Sequence, residues 1–211
     1  MKNILYLMAS LSVVFYTPYL FADNDWLKVK DNGGIEVYIM QTADSEIVKA
    51  KAVISVKSNI QSVDNLLNDI DYRHQWIPFL KQSKLISTIN NKERLEYSHF
   101  SAPWPASDRD FVYQLELVDN TEKTQVYKMS SVISELMPET QSMIRADLFE
   151  SVYTLRYIEE DVTQVELIFH ADPKGWLPNW IINIIQQVLP YKILENLRSE
   201  LEIKNVTGDI Q

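Results

Sequence analysis

Apolar and polar positions alternate with a period of two through much of the chain, and only near its end does the period become that of a helix. After the Asn32-Gly33-Gly34 turn, Ile35, Val37 and Ile39 alternate as a first strand. Val48, Ala50, Ala52, Ile54 and Val56 then share one face, with Lys49, Lys51, Ser55 and Lys57 mostly on the other. That is the pattern of a strand with one buried and one wet face. Asn59 is placed to cap a helix carrying Val63, Leu66, Leu67 and Ile70, which ends around Asp71. Tyr72 to Pro78 is aromatic and irregular. Segments 82–89, 94–100, 109–118 and 124–133 read as short strands with polar joints at Asn90-Asn91 and Asp119-Asn120, the spacing of an antiparallel meander. Two further strands, 142–158 and 163–171, are joined by the acidic turn Glu159-Glu160-Asp161.

After Asp172-Pro173-Lys174-Gly175, the pair Leu177-Pro178 opens a helix that runs to about Lys204, proline being tolerated in a first helical turn. Roughly 27 residues at about 1.5 Å each give about 40 Å, enough to cross a whole sheet. Pro190 inside this helix predicts a kink. One apolar stripe is Leu177, Ile181, Ile184, Val188, Tyr191, Leu194, Leu197 and Leu201. A second, Trp180, Ile182, Ile185, Leu189 and Ile193, makes the N-terminal half apolar nearly all round. Such a helix suits a closed core, and it equally suits a lid that closes a cavity with one face while its flank rests on loops or a membrane surface. Strands followed by one long helix make an α+β chain.

Composition narrows the setting. Lys2, the uncharged apolar run Ile4 to Tyr16 and Tyr19-Leu20-Phe21-Ala22 before Asp23 read as a secretory leader, 1–22, cleaved after Ala22. The run is shorter than the roughly 20 residues of a membrane span, although an uncleaved anchor is the alternative. Residues 23–211 are expected to form one domain in the periplasm or outside the cell. About 190 residues suffice for one sizeable core. Lys and Arg number 20 against 29 Asp and Glu, so nucleic acid is not an expected partner. The chain has no cysteine, which removes thiol catalysis and cysteine-bound zinc and leaves the fold to its core alone. Four glycines, at 33, 34, 175 and 208, cannot build a phosphate cradle, and no serine lies in a G-x-S-x-G setting. His74, His99 and His170 lack metal-ligand spacing, so neither a cofactor nor a metal is expected.

Ala102-Pro103-Trp104-Pro105-Ala106-Ser107-Asp108-Arg109-Asp110-Phe111-Val112-Tyr113 joins a proline-braced turn to a strand. Counting by twos from Phe111, Tyr113, Leu115 and Leu117 back to Arg109 puts the arginine on the inner face. An inward guanidinium needs partners; an arginine at a strand end that curls out to solvent fits the spacing equally well.

This motif resembles the characteristic strand-leading run of the steroidogenic-acute-regulatory-related lipid transfer (START) domain family. Gly175-Trp176-Leu177-Pro178-x-Trp180-x-x-Asn183 resembles that family's approach to its last helix, and an arginine strand around Ile144-Arg145-Ala146 lies between the two. The resemblance covers roughly Asp25 to Lys204. It implies a helix-grip fold, a bent antiparallel sheet wrapped on the C-terminal helix around a tunnel that holds one lipid. On this reading the candidate cavity residues are Arg109, Phe111, Tyr113, Arg145, Tyr153, Phe169, Trp176, Trp180, Ile184 and Val188, with Trp104 and Asp108 marking the strand-leading motif. Arg145 pairs with Asp147 if Met143, Arg145 and Asp147 face inward; the opposite face, Ile144, Ala146 and Leu148, is as good a candidate for the interior. Little room remains before the first strand for the N-terminal helix seen in many members, which leaves that sheet edge open. The expected function is non-covalent binding of a hydrophobic lipid, with a transient membrane surface as a second partner. The alternative implied by the fold is a cyclase or hydrolase in which Arg109, with Tyr113, Tyr153 or His99, polarises a carbonyl. A third possibility is a solid scaffold filled by Trp176, Trp180 and Phe169.

Overall fold

The computed structural model describes residues 25–43, 45–178, 181–182 and 184–207. The leader reading and Trp180 therefore lie outside the described residues. The strands are β1 (Leu27–Asn32), β2 (Ile35–Thr42), β3 (Ser45–Val56), β4 (Leu80–Thr88), β5 (Glu93–Phe100), β6 (Arg109–Asn120), β7 (Thr124–Ser131), β8 (Ile144–Arg145), β9 (Asp147–Glu159) and β10 (Val162–Asp172). They form one sheet in the order β1-β2-β3-β10-β9-β7-β6-β5-β4, and the two-residue β8 pairs with β6 in parallel. All the other pairings are antiparallel. The helices are α1 (Ile60–Asn68), the single turn α2 (Arg73–Trp76) and α3 (Leu189–Thr207).

The period-two reading locates nearly every strand. Ala50, Ala52, Ile54 and Val56 are all at most 2% exposed, as their shared face predicts. Asn59 caps α1 by accepting from the Ser62 amide at 2.9 Å, although the helix closes at Asn68, before Ile70. Strand β1 escapes the pattern because it is an edge strand whose residues are mostly exposed, so no alternation marks it. The expected 142–158 strand divides at Ala146, where the chain stops pairing with β6 and begins pairing with β10. Ala146 and Leu148 are buried, which selects the second of the two possible faces.

The final helix departs most from expectation. A π-helical turn, Ile184–Val188, precedes α3, and Pro190 sits in the first turn of α3, where its missing N–H is tolerated. The π turn advances through fewer degrees per residue than an α turn, so the apolar stripe slips. Val188 is consequently 39% exposed, while Leu189 and Ile193 turn inward.

The buried side chains fall into two groups. One gathers under α3, with Leu194, Leu197 and Leu201 against Ile35, Val37, Leu66 and Trp76. The other comprises Tyr113, Leu115, Tyr127, Met129, Leu148 and Ala171 on the sheet's inner face. Tyr153 and Phe169 pack against both.

Candidate functional site

The second group has no helix pressed into it. Every one of its six residues instead lines a cavity of about 180 Å³ that lies between the sheet and the segment leading into α3. Phe111, Leu167 and Phe169 extend the wall from the sheet, and Leu177, Ile181, Ile184 and Leu189 close it from the other side. Phe111 is set by an edge-to-face contact with Phe100, ring centroids 5.7 Å apart. The walls are overwhelmingly aliphatic and aromatic.

One region of the wall is polar. Arg73 on α2, Ser98 on β5 and Tyr113 on β6 line it, and behind them stands Glu96, with no exposed surface. Two guanidiniums share the Glu96 carboxylate. Arg73 pairs with Oε2 and reaches Oε1 at 3.5 Å, and Arg94 Nε donates to Oε1 at 2.5 Å. The Tyr113 hydroxyl donates to the same carboxylate at 2.9 Å and lies 3.0 Å from Ser98 Oγ. Arg73 also donates to the Leu67 carbonyl at 2.8 Å. Burial pushes the Glu96 pKa up, but the two arginines outweigh it and hold the group below its ordinary value. Arg73 is raised for the reciprocal reason, the Glu96 charge overcoming desolvation. Both groups are ionised, and the interior carries a satisfied ion network.

Arg94 Nη2 continues the network to Asn68 Oδ1 at 2.7 Å, and Asn68 donates to Tyr127 OH and Asp64. Tyr127 and Asp64 are themselves bonded, which ties the cavity wall to α1. Tyr153 borders the same polar region. Burial pushes its phenol pKa up, and among the described residues its hydroxyl has no hydrogen-bond partner.

Arg109 does point inward, 5% exposed, and it lines the cavity near its rim. Its donors face four backbone carbonyls: Ser107, Pro173 at 3.2 Å, Lys174 at 3.1 Å and Trp176 at 3.4 Å. The guanidinium therefore stitches the 101–108 loop to the 173–176 turn. Gly175 in that turn has φ +66°, a conformation that favours glycine, and a Cβ there would press on the tip of the Ile144 side chain at 2.7 Å. Asp108 holds the loop from its other end. It accepts from the Ala102 amide at 3.0 Å and from Lys81 at 2.8 Å, and lies 2.8 Å from His99 Nε2. Burial alone would raise its pKa, but these partners hold it at about 2.

The residues expected from sequence are placed as follows. Arg109, Phe111, Tyr113, Tyr153, Phe169 and Ile184 all border the cavity. Arg145 does not: it makes a two-pronged bond to Asp110, at 2.9 and 3.0 Å, behind the sheet's end. Asp147, its expected partner, pairs with Lys174 at 3.0 Å. Trp176 is 70% exposed, because the turn at Gly175 carries it outward before the helical segment begins. Val188 is turned away by the π helix. Trp104, 89% exposed, stands on the 101–108 loop that Arg109 fastens to the Trp176 turn. Of the residues named for carbonyl polarisation, Arg109, Tyr113 and Tyr153 border the cavity, where Arg109 donates to backbone carbonyls and Tyr113 to Glu96, while His99 lies against Asp108.

Sequence reasoning missed Arg73, Glu96, Ser98 and Tyr127. Arg94, Glu96 and Ser98 follow one another by twos, and a polar alternation in a strand reads as its solvent face. Only Phe100 at the next even step, another cavity residue, hints otherwise.

Comparison with known proteins agrees with this architecture. A Pseudomonas aeruginosa protein, PA1579, is 26% identical over 205 residues, covering 96% of this chain and 99% of its own. The mouse phosphatidylcholine transfer protein is 24% identical over 164 residues, 75% of each chain. The crystal structure of a STAR-related lipid transfer protein from Xanthomonas axonopodis superposes with a TM-score of 0.72 at 27% identity, covering 84% of this chain and 98% of that one. The START domain family model matches residues 7–198, and with the helix-grip sheet, the apolar cavity and both sequence motifs in place, this chain belongs to the START domain family.

Proposed function

We propose that the protein binds one lipid non-covalently in its internal cavity and exchanges it at a membrane surface. The observation that carries this reading is the apolar lining of the cavity. All six residues of one core group line the cavity with their apolar side chains, and Leu67, Trp76, Leu167, Leu189 and Ile193 of the group under α3 line it too. An apolar face left without a protein partner is a site for an apolar ligand, worth about 25 cal/mol for each Å² it covers. The polar region adds orientation. Tyr153 offers an unpaired hydroxyl beside the Arg73–Glu96 pair, suited to a ligand hydroxyl, carbonyl or headgroup oxygen.

Exchange at a membrane is supported by the cavity rim. Trp104 and Trp176, both largely exposed, project from loops that Arg109 joins, and Ile133 and Leu136 are exposed on the neighbouring β7–β8 connection. Indole rings favour the water–lipid boundary. With an excess of acidic residues the surface gains little from anionic headgroups, so apolar insertion rather than charge brings the rim to lipid. The leader read from residues 1–22 supports action outside the cytoplasm, which fractionation of the producing cells checks directly.

Native mass spectrometry of the purified protein, with lipid extraction, is the direct test. A bound or acquired lipid at one per chain is expected. A protein that neither carries nor takes up lipid from vesicles of mixed phospholipids is not a carrier.

A further inference from the structure

The cavity does not end at the segment that closes it. On the outer side of the same segment lies a depression of about 280 Å³, bordered by Ile47 on β3, Ile182, Lys174 and Trp176. Inner cavity and outer depression have Ala171, Pro173, Leu177 and Ile185 in common. Leu177 and Ile185 are therefore a partition one side chain thick.

The sizes of the two spaces matter. The inner space measures about 180 Å³ and the outer about 280 Å³. The inner space by itself suits a short chain, and the two joined suit a longer one.

The partition lies between two anchored stretches of the chain. Up to Trp176 the chain is held by Arg109, and from Tyr191 onward it is held by the β1–β2 hairpin, through Asn32 Nδ2 to Tyr191 OH at 3.0 Å and Arg198 to the Gly33 carbonyl at 2.6 Å. Between these anchors the described side chains, Leu177, Pro178, Ile181, Ile182, Ile184, Ile185 and Val188, are all apolar and have no hydrogen bond to hold them in one position. The backbone there includes the π turn, and Pro190 has no N–H to donate to the carbonyl four residues earlier.

We propose that the outer depression is a second ligand subsite, taking the distal half of a single long acyl chain when Leu177 and Ile185 turn aside. This rests on the lipid-carrier reading and adds to it a chain-length preference set by residues outside the cavity. The polar end of the ligand lies at Tyr153 and Arg73, and the tail passes the partition to end against Ile47 and Ile182.

Calorimetric titration of the delipidated protein with octanoate and palmitate separates the two halves of the path. Ile47→Trp fills the outer depression without touching the inner wall, and is expected to weaken palmitate binding about tenfold while leaving octanoate unchanged. Ile47→Ala widens the same space and is expected to move the preferred chain length upward across a series of saturated fatty acids. Equal effects on octanoate and palmitate in Ile47→Trp, together with an unmoved length preference in Ile47→Ala, overturn the second subsite and leave the carrier reading standing. Wild-type protein that binds no fatty acid and takes up no lipid from vesicles overturns both.

Discussion

Glu96 is a carboxylate without contact to water, held by two guanidiniums and a phenol. Removing one partner of such a network strands the others, which costs more than the network contributes as a whole. Glu96→Ala is expected to lower unfolding stability by about 3–5 kcal/mol in urea titration. His170 is the opposite case, a histidine kept neutral. Burial lowers its pKa against the opposing bond to the Ile47 carbonyl, and its neighbours are Lys49, Glu150 and the Phe149 ring. Because the unfolded chain binds this proton more readily than the folded one, the stability that His170 contributes is complete above about pH 6.5 and declines as the pH falls through its lowered folded value. Thermal unfolding followed from pH 7 down to pH 5 should show this loss in the wild type and a shallower slope in His170→Asn. Neither residue was legible as a site in the sequence. Glu96 looked like part of a wet face, and His170 like one of three scattered histidines, because burial is conferred by strands that lie far away along the chain.

At the scale of elements, the loop 101–108 and the turn 173–176 behave as one unit because a single guanidinium bonds to both. Arg109→Met keeps much of the apolar stem and removes the four carbonyl contacts. Amide hydrogen exchange is expected to quicken in both segments together while α3, fastened by Arg198 and by Asn196 to the Trp76 carbonyl at 2.8 Å, stays protected. Exchange rising in only one of the two segments would show that they are not coupled. The slipped stripe of the last helix gives a second contrast. Leu194→Ala, in the closed part of the core, is expected to cost about 2–5 kcal/mol, whereas Val188→Ala should stay within about 0.5 kcal/mol. A strict helical period would have made the two equivalent. Helical spacing was legible from the sequence, but the π turn was not, since it depends on fitting both ends of the segment to anchors elsewhere.

For the molecule as a whole, a lipid that covers the apolar cavity wall adds to the stability of the folded state. A lipid that binds only the folded state at a hundred times its dissociation constant adds about 2.7 kcal/mol. For a domain of this size that raises the unfolding midpoint by roughly 5–10 °C. Differential scanning calorimetry of delipidated and lipid-loaded protein reads the shift directly, and a midpoint indifferent to lipid would mean that nothing enters. The alternation of small and branched residues determined the strands, and a wide apolar helix after them determined what the sheet would grip, because those patterns depend only on neighbours in the chain. The Trp-Pro and Gly-Trp-Leu-Pro motifs, local in the same sense, marked the family, while the spacing left Arg109 open to face either inward or outward. Only the tertiary structure decided that Arg145 belongs to Asp110, that Arg109 faces inward, that Glu96 is interior, and that a cavity lies between the sheet and the segment leading into α3. Those facts concern distances between segments far apart along the chain, and a cavity is a property of where side chains fail to meet, which no local pattern encodes.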